Sequence, residues 1–158
     1  GTGRLWFYDK DSPYERWQLD LLTKAYADSA PKGPARRMAD IGGGTGRFAH
    51  LLFDRLGLSE PVLCIDPFEK MLEEARTLVG VETLQKDAVT FAKEAAENSF
   101  DYMLLKEVVH HVPVDELEEM FRDLHRAARH GAACIIVTRP KDDIDYPFMD
   151  KAREVWRA

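Results

Sequence analysis

Eleven residues constrain this chain more than any others: Met38-Ala39-Asp40-Ile41-Gly42-Gly43-Gly44-Thr45-Gly46-Arg47-Phe48. A short apolar run ends in an acid, four glycines follow within five positions, and an amphipathic pattern starts at Arg47. Glycine admits positive φ in a tight turn and lets a flat ligand approach the backbone where a side chain would block it. Strand, glycine loop and helix in that order open a fold that binds a nucleotide-type cofactor, with the N–H groups of the helix start adding a positive field. A dinucleotide site calls for G-x-G-x-x-G. Counted from Gly42, the third glycine falls at Arg47 and the pattern fails; counted from Gly44, it falls at Ala49, which that fingerprint tolerates.

The rest of the chain alternates strand and helix. Ser12-Pro13-Tyr14-Glu15 reads as a capped helix start, with Ser12 as N-cap, Pro13 in the first turn and Glu15 completing a capping box. Trp17, Leu21, Leu22 and Ala25 carry that helix to about residue 29. Strands are expected over 36–41, 61–66, 81–85, 100–105 and 132–138, and helices over 47–56, 68–79, 89–98, 115–129 and within 145–158. The second strand, Pro61 to Asp66, is a continuous apolar run that suits coverage on both faces, and it also ends in an acid. Asp66 follows Gly46 by 20 residues, where a carboxylate, being acceptor-only, suits a ribose diol; Asp66-Pro67-Phe68-Glu69 also reads as a capping box. The alternation predicts an α/β fold, a doubly wound parallel sheet in a single domain over 1–158, with a cap-helix region over 1–34 and a Rossmann-like core over 35–158.

Composition narrows the partners. A net charge of −6 argues against a general nucleic-acid or membrane surface, and no apolar run reaches the roughly 20 residues that span a bilayer. Cys64 and Cys134 each sit inside an apolar strand-like run, which reads as small buried hydrophobes in a reducing, cytoplasmic setting, and no metal-ligand spacing is present. The leading Gly-Thr-Gly reads as a cloning remnant.

The pattern D-x-G-x-G-x-G at Asp40, Gly42, Gly44 and Gly46, then Asp66, Asp87-Ala88 and the run Phe100 to Val112, resembles the motif series of the class I S-adenosylmethionine-dependent methyltransferases, in their small-molecule, menaquinone-biosynthesis-like branch. The resemblance covers roughly residues 36–139. It implies S-adenosyl-L-methionine as cofactor. Asp40 would lie near the cationic amino and sulfonium end, Gly42, Gly43, Gly44 and Gly46 would form the loop, and Asp66 and Pro67 would flank the ribose. Phe68 and Met71 are placed to sandwich adenine, Asp87 and Ala88 to read its edge. Lys106 would belong to the cofactor set at the end of the fourth strand, and Tyr8 or Tyr14 would touch the cofactor from the N-terminal helix region. The family normally adds two more strands after the fifth, one of them antiparallel; no sequence remains here for them, so a sheet lacking the last two strands is expected. Its fifth strand would be an open edge, through which a homodimer could form.

Methyl transfer is an in-line displacement that depends on positioning and on exclusion of water. For a hydroxyl acceptor His111 is the candidate base, with an imidazole pKa suited to neutral pH. His110 and His111 read equally as pocket-wall residues. Two other functions stay open: a non-catalytic cofactor-binding or interaction domain, and a nicotinamide-dependent oxidoreductase, which Asp40 disfavours because it would repel a pyrophosphate.

Overall fold

A computed structural model of the chain describes residues 13–29, 37–138 and 154–157. The elements are α1 (Pro13–Asp28), β1 (Met38–Ile41), α2 (Arg47–Arg55), β2 (Val62–Asp66), α3 (Glu69–Ala75), β3 (Val81–Gln85), α4 (Ala88–Glu94), β4 (Phe100–Lys106), α5 (Val114–Ala127) and β5 (Ala128–Val137). A single 3-10 turn, Val109–His111, separates β4 from α5. The five strands form one parallel sheet in the order β3-β2-β1-β4-β5, the doubly wound arrangement that the alternation predicts.

Strand alternation divides the core between the two faces. Ala39, Ile41, Leu63, Ile65, Met103 and Leu105 pack with Phe91, Leu117, Met120, Phe121 and Leu124 under α4 and α5. Met38, Val62, Tyr102 and Leu104 pack with Leu19, Leu22, Tyr26, Ala49 and Leu52 under α1 and α2. Full burial of a side chain of this size contributes about 1.5–3 kcal/mol, so the central strands β1 and β4, buried on both faces, anchor the sheet. Tyr26 joins layers by more than packing: its hydroxyl donates to the Met103 carbonyl and its ring meets Tyr102 edge-on.

Several boundaries differ from expectation, among them the end of the helix expected over 89–98, which stops at Glu94 as Ala95 turns extended. The helix expected over 68–79 is regular only from Glu69 to Ala75, because Thr77 and Leu78 bond three residues back, to the Glu74 and Ala75 carbonyls, and Gly80 then turns the chain at φ 79 into β3. The helix expected to run to 129 ends at Ala127, and β5 starts at once, four residues before the expected 132. The Asn98 and Ser99 amides take the Arg126 and Ala127 carbonyls, and Ala128 pairs with Phe100, drawing the chain into the sheet before Gly131 can act as a stop. The capping box at Asp66 also does not form: Phe68 is the N-cap residue of α3, and Asp66 instead accepts from the Phe68 amide two residues on. Residues 154–157 are helical, with Val155 buried in the α4–α5 layer.

Candidate functional site

Ligands of open α/β sheets lie beyond the carboxyl ends of the strands, where the strand order reverses. Here the reversal lies between β1 and β4, and the segments that leave those two strands touch. A Cβ added at Gly42 (φ 74) would fall 2.3 Å from Val108 Cγ2. Glycine is therefore required at Gly42 both by conformation and by the close approach of the β4 exit.

The loop is closed on itself. The Gly42 and Gly43 amides both donate to the Ile65 carbonyl (2.7 and 3.0 Å), and the Gly46 amide donates to the Gly43 carbonyl (3.1 Å). The Gly44 amide donates to Asp66 Oδ2 (3.0 Å). Asp66 Oδ1 accepts from the Phe68 amide (2.9 Å), so this one carboxylate pins the glycine loop to the entry of α3. Each of its oxygens keeps acceptor capacity beyond one bond. All four glycine amides of the loop already donate inside the protein, so the glycine stretch itself holds no amide open to a pyrophosphate.

Beneath the loop lies Asp40, only 2% exposed. A Cβ at Gly43 would sit 2.5 Å from Cys64 Sγ and 2.9 Å from Asp40 Oδ2, which places the carboxyl and the thiol directly under that peptide. Burial pushes the Asp40 carboxyl up to about 7; Lys106 pulls it down and Asp66 pushes it further up. Burial also pushes the Cys64 thiol well above its ordinary range, so it is inert as a nucleophile.

A cleft of about 730 Å³ opens beside the loop, within the range of small-molecule sites. Gly42, Asp66, Pro67, Phe68, Asp87, Ala88 and His111 line it, so seven of the residues singled out from sequence come together. Phe68 is 67% exposed at the rim. Asp87 is the N-cap of α4, accepting from the Thr90 amide (2.8 Å) and from its hydroxyl (3.1 Å). Asp40, Gly43, Gly44, Gly46, Met71 and Lys106 are not on the cleft wall. Gly46 is packed against α3, Met71 is on the outer side of α3, and the Lys106 ammonium rests 3.9 Å from the Phe48 ring centroid on the α2 side of the sheet. Tyr8 lies outside the described residues. Tyr14 stands on α1 with its ring 6.0 Å from that of Trp17.

Sequence reasoning did not single out Glu107 and Val108 individually. Glu107 has φ 60 and its amide donates to the Val137 carbonyl (2.7 Å), so β5 holds the β4 exit in a left-handed turn that aims Val108 at Gly42. Nothing in the local sequence marks that turn, since no glycine stands there. His111 stands at the end of the 3-10 turn with its ring centroid 4.0 Å from that of His110. Among the described residues no group of three or more His, Cys, Asp or Glu could hold a metal ion, and no helix is long and apolar enough to cross a membrane.

A family profile described as "Methyltransferase domain" matches residues 38–131, more than half of the chain. No curated protein matches the sequence. Among solved structures, a SAM-dependent methyltransferase from Leishmania major superposes with TM-score 0.66 at 20% identity, covering 86% of this chain and 62% of its own. A S-adenosylmethionine-dependent methyltransferase from Mesorhizobium loti gives 0.59 at 26% identity, covering 77% and 56%. A TehB-like SAM-dependent methyltransferase from Corynebacterium glutamicum gives 0.67 at 19%, covering 90% and 79%. The chain thus spans less than two thirds of the Leishmania and Mesorhizobium proteins.

Proposed function

This chain belongs to the methyltransferase-domain family, whose cofactor is S-adenosylmethionine, and from that premise we propose that it transfers a methyl group from S-adenosylmethionine to a small-molecule acceptor. The observation that carries the reading is the glycine loop with its four amides spent internally above a buried carboxyl. Such a loop offers little to an anion and suits a cation lying flat against glycine backbone. Asp40, with Gly42, Gly43, Gly44 and Gly46, is the proposed seat of the cationic end, Asp66 and Pro67 of the ribose, and Phe68, Met71, Asp87 and Ala88 of the adenine. Lys106 and Tyr8 complete the proposed cofactor set. Residues 1–158 act as a single domain, and a second copy pairs along the open β5 edge. The acidic balance of −6 and the modest cleft favour a small acceptor over nucleic acid, and a cytoplasmic setting fits two unpaired thiols.

The cofactor supplies an activated methyl group: its carbon–sulfur bond breaks, the electron pair stays on sulfur, and the acceptor forms the new bond to carbon. The chain's task is to hold donor and acceptor in line and keep water out. Val108, Val112 and Pro113 give the cleft an apolar wall next to His111. His111 takes the proton of a hydroxyl acceptor on its imidazole; a carboxylate or phenolate acceptor needs no base.

Titration calorimetry tests the cofactor assignment. Saturable binding of S-adenosylmethionine and S-adenosylhomocysteine, with none of reduced nicotinamide dinucleotide, is the expected result. Binding of the dinucleotide alone overturns it. Binding without turnover on any acceptor would leave a cofactor-binding module instead.

A further inference from the structure

Methyl transfer destroys a positive charge: a sulfonium becomes a neutral thioether. A site built only from carboxylates would hold the charged reactant more tightly than the uncharged product, and that surplus would be lost on the way to the transition state. The rim of this sheet is not built only from carboxylates. In the β1–β4 register Asp40 is opposite Leu104, and Lys106 is two residues on, so strand alternation puts Asp40 and Lys106 on the same face of adjacent strands. Phe48, in the first turn of α2, receives the Lys106 ammonium on its ring at 3.9 Å, which fixes the cation next to the loop instead of leaving it free in solvent. The other charge that acts on Asp40 is the Asp66 carboxylate from β2.

We propose that Lys106, seated on Phe48, is a positioning residue that offsets the charge of Asp40, so that the site holds the cationic cofactor and its neutral product with similar affinity. This rests on the cofactor reading above and adds a purpose for a lysine that the cleft wall does not include. It also gives a reason for a cation on the same strand face as the acid proposed to seat the sulfonium: it lowers the attraction that would otherwise make the reactant too stable.

The test measures binding instead of turnover. Dissociation constants for S-adenosylmethionine and S-adenosylhomocysteine are compared in the wild type, Lys106→Met and Lys106→Arg. Measured well above pH 7, where Asp40 is ionised with or without its neighbouring cation, Lys106→Met is expected to shift the affinity ratio toward the charged ligand by about threefold to tenfold, as loss of one nearby like charge implies. Lys106→Arg keeps the charge and should keep the ratio. Lys106→Gln carries the same expectation as Lys106→Met and replaces it if that variant does not fold. An unchanged ratio, or an equal loss for both ligands, overturns the proposal, because a lysine that merely grips the amino-acid carboxylate common to both would act on them alike. A wild type that binds neither ligand refutes the cofactor reading itself, which the ratio cannot do.

Discussion

A carboxyl shut away from water is stable only when neutral or compensated. Asp40 is in that position, and its titration has two consequences of defined sign. Its folded-state pKa is pushed from 3.8 to about 7, by burial first, with Lys106 pulling down and Asp66 pushing up. The folded chain therefore holds a proton that the unfolded chain has released across that interval. Stability contributed by this group is fully present below the ordinary carboxylate range and is lost as pH rises through about 7. Chemical denaturation of the ligand-free chain should show a loss on the order of 2–4 kcal/mol from acidic to mildly alkaline pH, and Asp40→Asn should remove that slope. Binding runs the other way. A cationic ligand favours the ionised carboxyl, so affinity for S-adenosylmethionine should rise as pH increases through about 7, with the Asn variant weak and flat. A wild type and an Asp40→Asn variant with parallel binding profiles would remove Asp40 from the site.

Within the loop, two glycines separate conformation from packing. Gly44 has φ 58, and an added Cβ would meet nothing within 4 Å; Gly46 has φ 77, and its Cβ would fall 2.8 Å from Ala75 Cβ and 3.2 Å from Ala75 Cα. Gly44→Ala should fold with a loss of about 1–2 kcal/mol from the left-handed backbone alone, yet weaken cofactor binding about tenfold by standing in the open space above the loop. Gly46→Ala carries the same strain plus a collision with α3, and thermal unfolding should show the larger loss. Intact binding in Gly44→Ala would mean that the loop face is not where the ligand lies, and equal stability losses would mean that α3 gives way to a Cβ at Gly46. This loop was legible in the sequence because its glycines, its acid and the flanking periodicities are local signals. Asp66 was legible as a residue but not in its bonds: Gly44 is 22 residues upstream, and only the fold decides that one carboxylate clamps the loop and starts α3. Lys106 on Phe48 and the left-handed Glu107 are set by neighbours far away in the chain, Phe48 on α2 and Val137 on β5, and leave no local trace. The early start of β5 has the same origin, since Ala128 follows Phe100 and not the glycine three residues on.

At the scale of the sheet, the same parallel order that creates the crevice between β1 and β4 leaves β3 and β5 outermost among the described residues, and they differ. β3 is short at five residues; β5 runs for ten, with Cys134-Ile135-Ile136-Val137 at its end. Among the described residues β5 pairs only with β4. The Val137 carbonyl accepts from the Glu107 amide, so Val137, and by alternation Ile135 and Ala133, direct their backbone groups toward β4. The amides of Cys134 and Ile136 then face outward, on a long apolar edge of the kind that recruits another strand. Two copies related by a two-fold axis would meet there antiparallel, each β5 presenting the same groups to the other, and would close both edges at once. Sedimentation velocity should therefore show a dimer that dissociates on dilution. Ile136→Pro deletes an outward amide while leaving the β4–β5 ladder intact, so it should shift the species to monomer with its cofactor affinity retained. A wild type that sediments as a monomer at every concentration would assign that edge to some other cover, and the variant would then differ from it only by the packing lost at Ile136.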